Sequence, residues 1–148
     1  MKIISFRSED GLEVSNLIRK TLEKINSKYY PQNVINFLSK EYSPENLRKM
    51  TKKKELLLAI KEEVIIGVAG LEENHIGTVF VSPKYQNQGI GKKLMFFIEK
   101  LARKRGFSEV KLNSSINALD FYKRIGYEQG EKVEEENYGI TYMMTKRL

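Results

Sequence analysis

The stretch Val79-Phe80-Val81-Ser82-Pro83-Lys84-Tyr85-Gln86-Asn87-Gln88-Gly89-Ile90-Gly91-Lys92-Lys93-Leu94 decides the fold. An extended run meets a proline, which cannot donate to a strand ladder, and the chain then enters a polar loop. Gly89 and Gly91 follow at the start of a helix. Glycines there permit positive φ and close backbone approach, so several N–H groups can aim at one point. The helix N-terminus adds its partial positive charge, and the combination makes a cradle for a pyrophosphate. Lys92 and Lys93 fall in the first helical turn, where cations oppose the helix dipole; a bound anion removes that conflict. Two other phosphate loops do not fit. Leu94 stands where a dinucleotide fingerprint needs its third glycine, and Gly91-Lys92 is followed by Lys93 instead of the Ser or Thr of a P-loop.

Outward from this loop the hydrophobic period alternates between two kinds of element. Downstream, Ile90, Leu94, Phe97, Ile98 and Leu101 share one helical face up to Gly106. A strand over Glu109–Leu112, a helix over Ile116–Ile125 closed by Gly126, and a strand over Ile140–Thr145 follow. Upstream, Glu55–Ile60, Val64–Leu71 and Ile76–Ser82 read as three strands of an antiparallel meander, with Glu62-Glu63 as a turn. The N-terminal third is helical after a short extended segment, Lys2–Phe6. Ser8 can cap the first helix, Pro31 opens a second, and Ser43-Pro44-Glu45 starts a third. The pattern predicts a mixed α+β sheet flanked by helices.

The chain has 148 residues, with 26 Lys+Arg, 19 Asp+Glu, one His and no Cys. One domain over 1–148 is the expected organisation. The absence of Cys removes disulfides, Cys-ligated metals and thiol nucleophiles, and a lone His75 leaves little for a metal site or a Ser/His/Asp triad. No metal is therefore expected. No apolar run approaches a membrane span and the N-terminus carries no secretory core, so the expected setting is cytoplasmic, with no membrane partner. The net charge of +7 favours anionic partners, but a Lys-rich surface is also an ordinary solubility device.

Gln86-x-x-Gly89-x-Gly91, after a strand and opening an amphipathic helix, resembles the coenzyme A-binding motif of the GNAT (Gcn5-related) N-acetyltransferase superfamily. A second motif stands downstream: Ser114-Ser115-Ile116-Asn117-Ala118-Leu119-Asp120-Phe121-Tyr122-Lys123-Arg124-Ile125-Gly126-Tyr127 resembles the family's Tyr-bearing helix. The order of elements matches along essentially the whole chain, most strongly from Val64 to Tyr127.

This resemblance implies a central, mostly antiparallel twisted sheet with one splayed parallel pair. It also implies acetyl transfer from acetyl-CoA, as co-substrate, to a primary amine by direct attack. The backbone of Phe80 and Val81 would pair with the pantetheine, with an N–H near Val81 polarising the thioester carbonyl. Gln86, Asn87, Gln88, Gly89, Ile90, Gly91 and Lys92 would hold the pyrophosphate. The basic face of the following helix, from Lys92 to Arg105, could reach the 3′-phosphate. Tyr122 is the implied acid, or hydrogen-bond donor, for the departing sulfur. Many members carry an Asn near the start of the Tyr-bearing helix that bonds the pantetheine; here Ser115 holds that place, with Asn113 and Asn117 on either side, and any of the three could serve.

The base is open. His75 begins the strand that ends at Val81, and simple alternation puts both on one face, towards the acceptor; its ordinary pKa suits a base. Glu72 and Glu73 lie in the preceding turn. Exposed turn positions compete with a catalytic role for all three. The resemblance implies a small-molecule or peptide amine as acceptor, with a small amine, a peptide N-terminus, a lysine side chain and a drug-like amine all open; nucleic acid is not the expected partner, because Glu128–Glu136 is acidic and no aromatic–glycine RNA motif is present. A non-catalytic acyl-CoA sensor and a basic nucleic-acid binder are the rival readings, and a homodimer is left open.

Overall fold

A computed structural model describes all residues, 1–148. The N-terminal strand β1 (Lys2–Ser5) leads into three helices, α1 (Gly11–Lys24), α2 (Gln32–Glu41) and α3 (Pro44–Met50). The meander β2 (Glu55–Lys61), β3 (Val64–Glu72) and β4 (His75–Val81) is followed by the long helix α4 (Ile90–Lys104). The chain ends with β5 (Glu109–Ser115), the short α5 (Leu119–Arg124), β6 (Glu128–Glu135) and β7 (Gly139–Arg147).

Local chemistry explains most of these boundaries. Ser43 Oγ accepts from the Asn46 amide at 3.1 Å while Pro44 takes the first helical position of α3. Ser8 does not cap α1 directly. It opens a 3₁₀ turn, Ser8–Asp10, in which the buried Asp10 carboxylate accepts from the Arg7 amide at 2.8 Å and pairs with the Arg7 guanidinium at 3.0 Å. Burial alone would raise the Asp10 pKa; the Arg7 hydrogen bonds outweigh it and hold the carboxyl below its ordinary value. Glu62 and Glu63 both take positive φ, as a two-residue hairpin whose turn matches strand twist requires.

The seven strands form one sheet in the order β1-β2-β3-β4-β5-β7-β6. Every pair is antiparallel except β4 and β5, which are parallel and register at only two positions, His75↔Lys111 and Ile76↔Leu112. The fold is thus the expected mixed α+β sheet with one parallel pair. β6 was not expected as a strand. Its acid-rich residues form an exposed edge strand held only by β7, and charge on an edge discourages further pairing.

Each face of the sheet carries its own core. Ile66, Leu71, Ile76, Leu112 and Met144 pack beneath Leu94 and Ile98 of α4 and Tyr122 of α5. On the other face Leu56, Leu58 and Val68 pack against Val14, Ile18 and Leu22 of α1 and Leu47 of α3. Gly67 lets α4 settle on β3, since a Cβ there would stand 2.9 Å from Leu94 Cδ1. Under the C-terminal half of α4, the buried Glu99 carboxylate accepts from Tyr127 Oη at 2.7 Å and Lys146 Nζ at 2.9 Å.

Candidate active site

The site begins with a defect in β4. Gly70 registers with Gly77 and Val68 with Phe80, so β4 spends three residues where β3 spends two. The extra residue is a bulge, marked by Thr78 at φ 54°. It inverts the alternation. His75, Gly77 and Phe80 now share the face towards α1, while Ile76 and Val81 face α4. The expectation that His75 and Val81 lie on one face is therefore corrected: unbroken period-two counting fails across a bulge.

The same register fixes where the peptide groups point. The Ser82 amide donates to Ile66 O at 2.8 Å, which makes Gly67↔Val81 a non-hydrogen-bonded pair. The N–H and C=O of Val81 consequently point to the far edge of β4, where β5 has already diverged. There the Val81 carbonyl accepts from Gln86 Nε2 at 2.6 Å and from Thr21 Oγ1 at 3.4 Å. Alternation turns the peptide groups of Phe80 the other way, towards β3. Of the two residues expected to offer backbone to the gap, Val81 does so, and Phe80 contributes its side chain.

Beyond Pro83–Tyr85 the loop takes left-handed turns at Asn87 (φ 60°) and Gly89 (φ 81°), and α4 starts. None of the seven backbone N–H groups from Gln86 to Lys92 donates to a protein acceptor; the first helical bond is Lys93 N to Gly89 O at 3.1 Å. Four free amides are normal at a helix start, and the loop extends that run into a concave nest. A Cβ at Gly91 would meet Phe121 Cζ at 3.1 Å, so the helix end and α5 press together there. Gln86 acts through its side chain as a strut for Val81. Gln88 turns outward, its Nε2 3.4 Å from Lys84 O, and does not line the cavity described next.

A cavity of about 620 Å³ runs from this nest along the gap between β4 and β5. Gln86, Asn87, Gly89, Ile90, Gly91 and Lys92 line it, together with Val81, Ser115, Asn117 and Tyr122. A smaller chamber of about 150 Å³ lies across the gap. The two meet at Asn26, Val79, Phe80, Ser115, Ala118 and Tyr122, which line both. Tyr122 is buried, and burial alone pushes its pKa far upward; no hydrogen bond within the protein opposes the shift. It is therefore a neutral phenol with an uncommitted donor. Its ring is held edge-on between Phe121 and Tyr127, at centroid distances of 5.0 and 5.7 Å.

The three candidates around the start of α5 separate clearly. Asn113 is exposed, 3.4 Å from Thr141 Oγ1, and touches only the smaller chamber. Ser115 lines both cavities. Asn117 Oδ1 is the single buried side-chain polar atom in the molecule with no partner, and its residue lines the larger cavity. A buried amide oxygen without a protein donor is free to accept from whatever occupies the cavity beside it.

His75 and Glu72 line neither cavity. They face each other in register at the closed end, where β4 still pairs with β5. Burial, reinforced by Lys111 and Lys54, holds the His75 pKa below its ordinary 6.5. Sequence reasoning missed most of the smaller chamber: Tyr30, Tyr42, Thr78, Tyr138 and Thr141 come from separate elements and form no motif. The structure contains no cluster of three His, Cys, Asp or Glu side chains arranged to hold a metal, and no helix long and apolar enough to cross a membrane.

Comparison with known proteins gives a consistent answer. Residues 25–148 match the family described as an acetyltransferase (GNAT) domain. Glucosamine 6-phosphate N-acetyltransferase of Trypanosoma brucei brucei is 35% identical over 63 residues, covering 43% of this chain and 43% of that protein. The chain matches less than half the length of its curated relatives. A GCN5-related N-acetyltransferase from Rhodopseudomonas palustris superposes with a TM-score of 0.93 at 22% identity, over 99% of this chain and 95% of that one. The PaiA N-acetyltransferase of Thermoplasma acidophilum, solved in complex with coenzyme A, superposes with a TM-score of 0.82 at 21% identity over 100% of both chains. At these identities the superpositions establish a shared fold.

Proposed function

The chain belongs to the GNAT acetyltransferase family, and from that premise we propose that it is an acetyl-CoA-dependent N-acetyltransferase acting on a primary amine. Acetyl-CoA would supply an activated thioester, whose acetyl group a neutral amine takes up by direct attack. One observation carries the reading. The backbone amides from Gln86 to Lys92 are unsatisfied, and all of these residues but Gln88 line a cavity that also holds an uncommitted tyrosine hydroxyl, Tyr122.

The residues divide the work. The amides of the nest hold the diphosphate of coenzyme A, and Lys92 adds charge. Asn117 Oδ1 accepts from a pantetheine amide, the role its orphaned state supports. The Val81 N–H, aimed into the gap, donates to the thioester carbonyl as negative charge develops there; one such donor is typically worth ~2.7–4 kcal/mol. Tyr122 donates to the leaving sulfur. A phenol near pKa ~10 is already a weaker acid than a thiol near ~8.5, and burial weakens it further. Tyr122 therefore works as a hydrogen-bond donor until the proton shed by the amine arrives. His75 and Glu72 have no part in this scheme. Transfer of the amine into the smaller chamber itself disfavours the ammonium, since desolvation penalises the charged form.

The direct test is thiol release from acetyl-CoA with a panel of amines, alongside calorimetry with coenzyme A. Tight binding with no transfer to any amine would favour the acyl-CoA sensor, and absence of binding would end both readings.

A further inference from the structure

The smaller chamber narrows the class of amine, an inference that rests on the acetyl-transfer reading above. No Lys, Arg, His, Asp or Glu lines it, in a chain with 26 cationic residues. Four tyrosines do: Tyr30, Tyr42, Tyr122 and Tyr138. Their positions are held by hydrogen bonds and ring contacts. Tyr30 Oη donates to Ile140 O and accepts from the Ile116 amide at 2.9 Å, so its hydroxyl is spent. The Tyr42 ring stands edge-on to Phe80 at 5.4 Å, and the Tyr138 ring edge-on to Phe37 at 5.2 Å. Tyr138 reaches from the β6–β7 turn across to α2, where its hydroxyl donates to Glu41 Oε2 at 3.2 Å. It therefore ties down one side of the chamber mouth.

Two charges stand close by without lining the chamber. Lys54 Nζ donates to Thr78 Oγ1 at 3.3 Å behind one wall, and Glu41 lies behind Tyr138 at the other. An amine must shed its proton for the chemistry in any case, so an uncharged pocket imposes no extra demand on it. A carboxylate or phosphate would add a second desolvation penalty, and the nearest counter-charge, the Lys54 ammonium, is held on Thr78 Oγ1 and does not itself line the chamber. Size sets the other bound. A chamber of about 150 Å³ accommodates a benzene-sized molecule.

We propose that the acceptor is a free, compact primary amine with an uncharged, largely apolar body of roughly six to nine non-hydrogen atoms. It sits among Tyr30, Tyr42, Tyr138 and Phe80, with its nitrogen at the junction beside Tyr122. Amino acids, phosphosugars, polyamines and tethered lysine side chains fall outside this class. The first three carry a second charge, and the last would have to displace Tyr138.

The experiment measures kcat/KM by thiol release at saturating acetyl-CoA for matched pairs that differ by one carboxylate: isopentylamine against leucine, and benzylamine against phenylglycine. Glucosamine 6-phosphate, spermidine and Nα-acetyl-lysine amide complete the panel. The expected result is at least a 100-fold preference for each amine over its carboxylated partner, and slower turnover of the last three than of isopentylamine. Tyr138→Ala should raise turnover of Nα-acetyl-lysine amide relative to isopentylamine at least tenfold by opening the mouth. Faster turnover of leucine, glucosamine 6-phosphate, spermidine or the lysine amide by the unaltered protein overturns the assignment while leaving acetyl transfer intact. Silence across the whole panel, with coenzyme A bound, overturns acetyl transfer and this inference with it.

Discussion

Gly91→Ala should separate folding from coenzyme binding, because the same methyl leaves the first nearly unchanged and weakens the second. Gly91 is the second residue of α4, where alanine is the better helix former by up to about 1 kcal/mol. The added Cβ would stand 3.1 Å from Phe121 Cζ, 3.4 Å from Cε1 and 3.6 Å from Val81 Cγ2. Phe121 is a partly buried ring at the cavity wall, free to give by a few tenths of an ångström. The steric cost therefore roughly cancels the propensity gain. Stability should stay within about 1 kcal/mol, or roughly 2–4 °C in Tm for a chain of this size. Binding has no such compensation. The methyl thickens the backbone at the middle of the nest. Loss of one charge-assisted hydrogen bond to a diphosphate oxygen costs about 1.5–3 kcal/mol, which is roughly a 10- to 150-fold weaker Kd. Calorimetry with coenzyme A reads the affinity directly. A fragment that ends at pantetheine, lacking the diphosphate, serves as the control and should bind both proteins equally. Unchanged coenzyme A affinity in a variant that melts normally would show that the diphosphate does not lie on Gly91, and the cradle assignment would fall.

Three further outcomes follow from the same geometry. Gly89→Ala meets nothing within 4 Å, so its cost is backbone strain alone at φ 81°, about 1–2 kcal/mol, and thermal melting should show a Tm lower by several degrees. Tyr122→Phe removes a hydroxyl that makes no hydrogen bond within the protein; Tm should hold or rise slightly and coenzyme A affinity should stay within twofold, while kcat falls about 100-fold. His75→Gln should leave kcat unchanged, because His75 lines neither cavity. It should also flatten stability against pH: the unfolded chain takes a proton near 6.5 that the folded state refuses, so the unaltered protein loses stability as pH falls from about 7.5 towards 5.5 and the variant loses less, as denaturation at the two pH values will measure.

What sequence alone conveys about this molecule is whatever local chemistry decides. The helical stripe from Ile90 to Leu101, the β-branched run of β3 and the glycines of the nest each carry their own signal, and each stands where it was expected. β6 carries none, because Glu128-Gln129-Gly130-Glu131-Lys132-Val133-Glu134-Glu135 is exposed at the sheet edge and is a strand only through its pairing with β7. The bulge at Thr78 is the more consequential silence. A β-branched residue is a poor choice for positive φ, and nothing in the local sequence marks it. The surrounding structure imposes it. The Lys54 stem crosses Gly70, where a Cβ would meet Lys54 Cδ at 2.8 Å, and passes Gly77 to bring its ammonium to Thr78 Oγ1. Lys54 and Thr78 stand 24 residues apart in the chain, so no windowed reading joins them. That extra residue decides which wall Phe80 and Val81 line, turns the Val81 amide into the gap that β5 has left, and strands His75 at the closed end. The functional polarity of the site is set by one inserted residue that only tertiary contacts can hold.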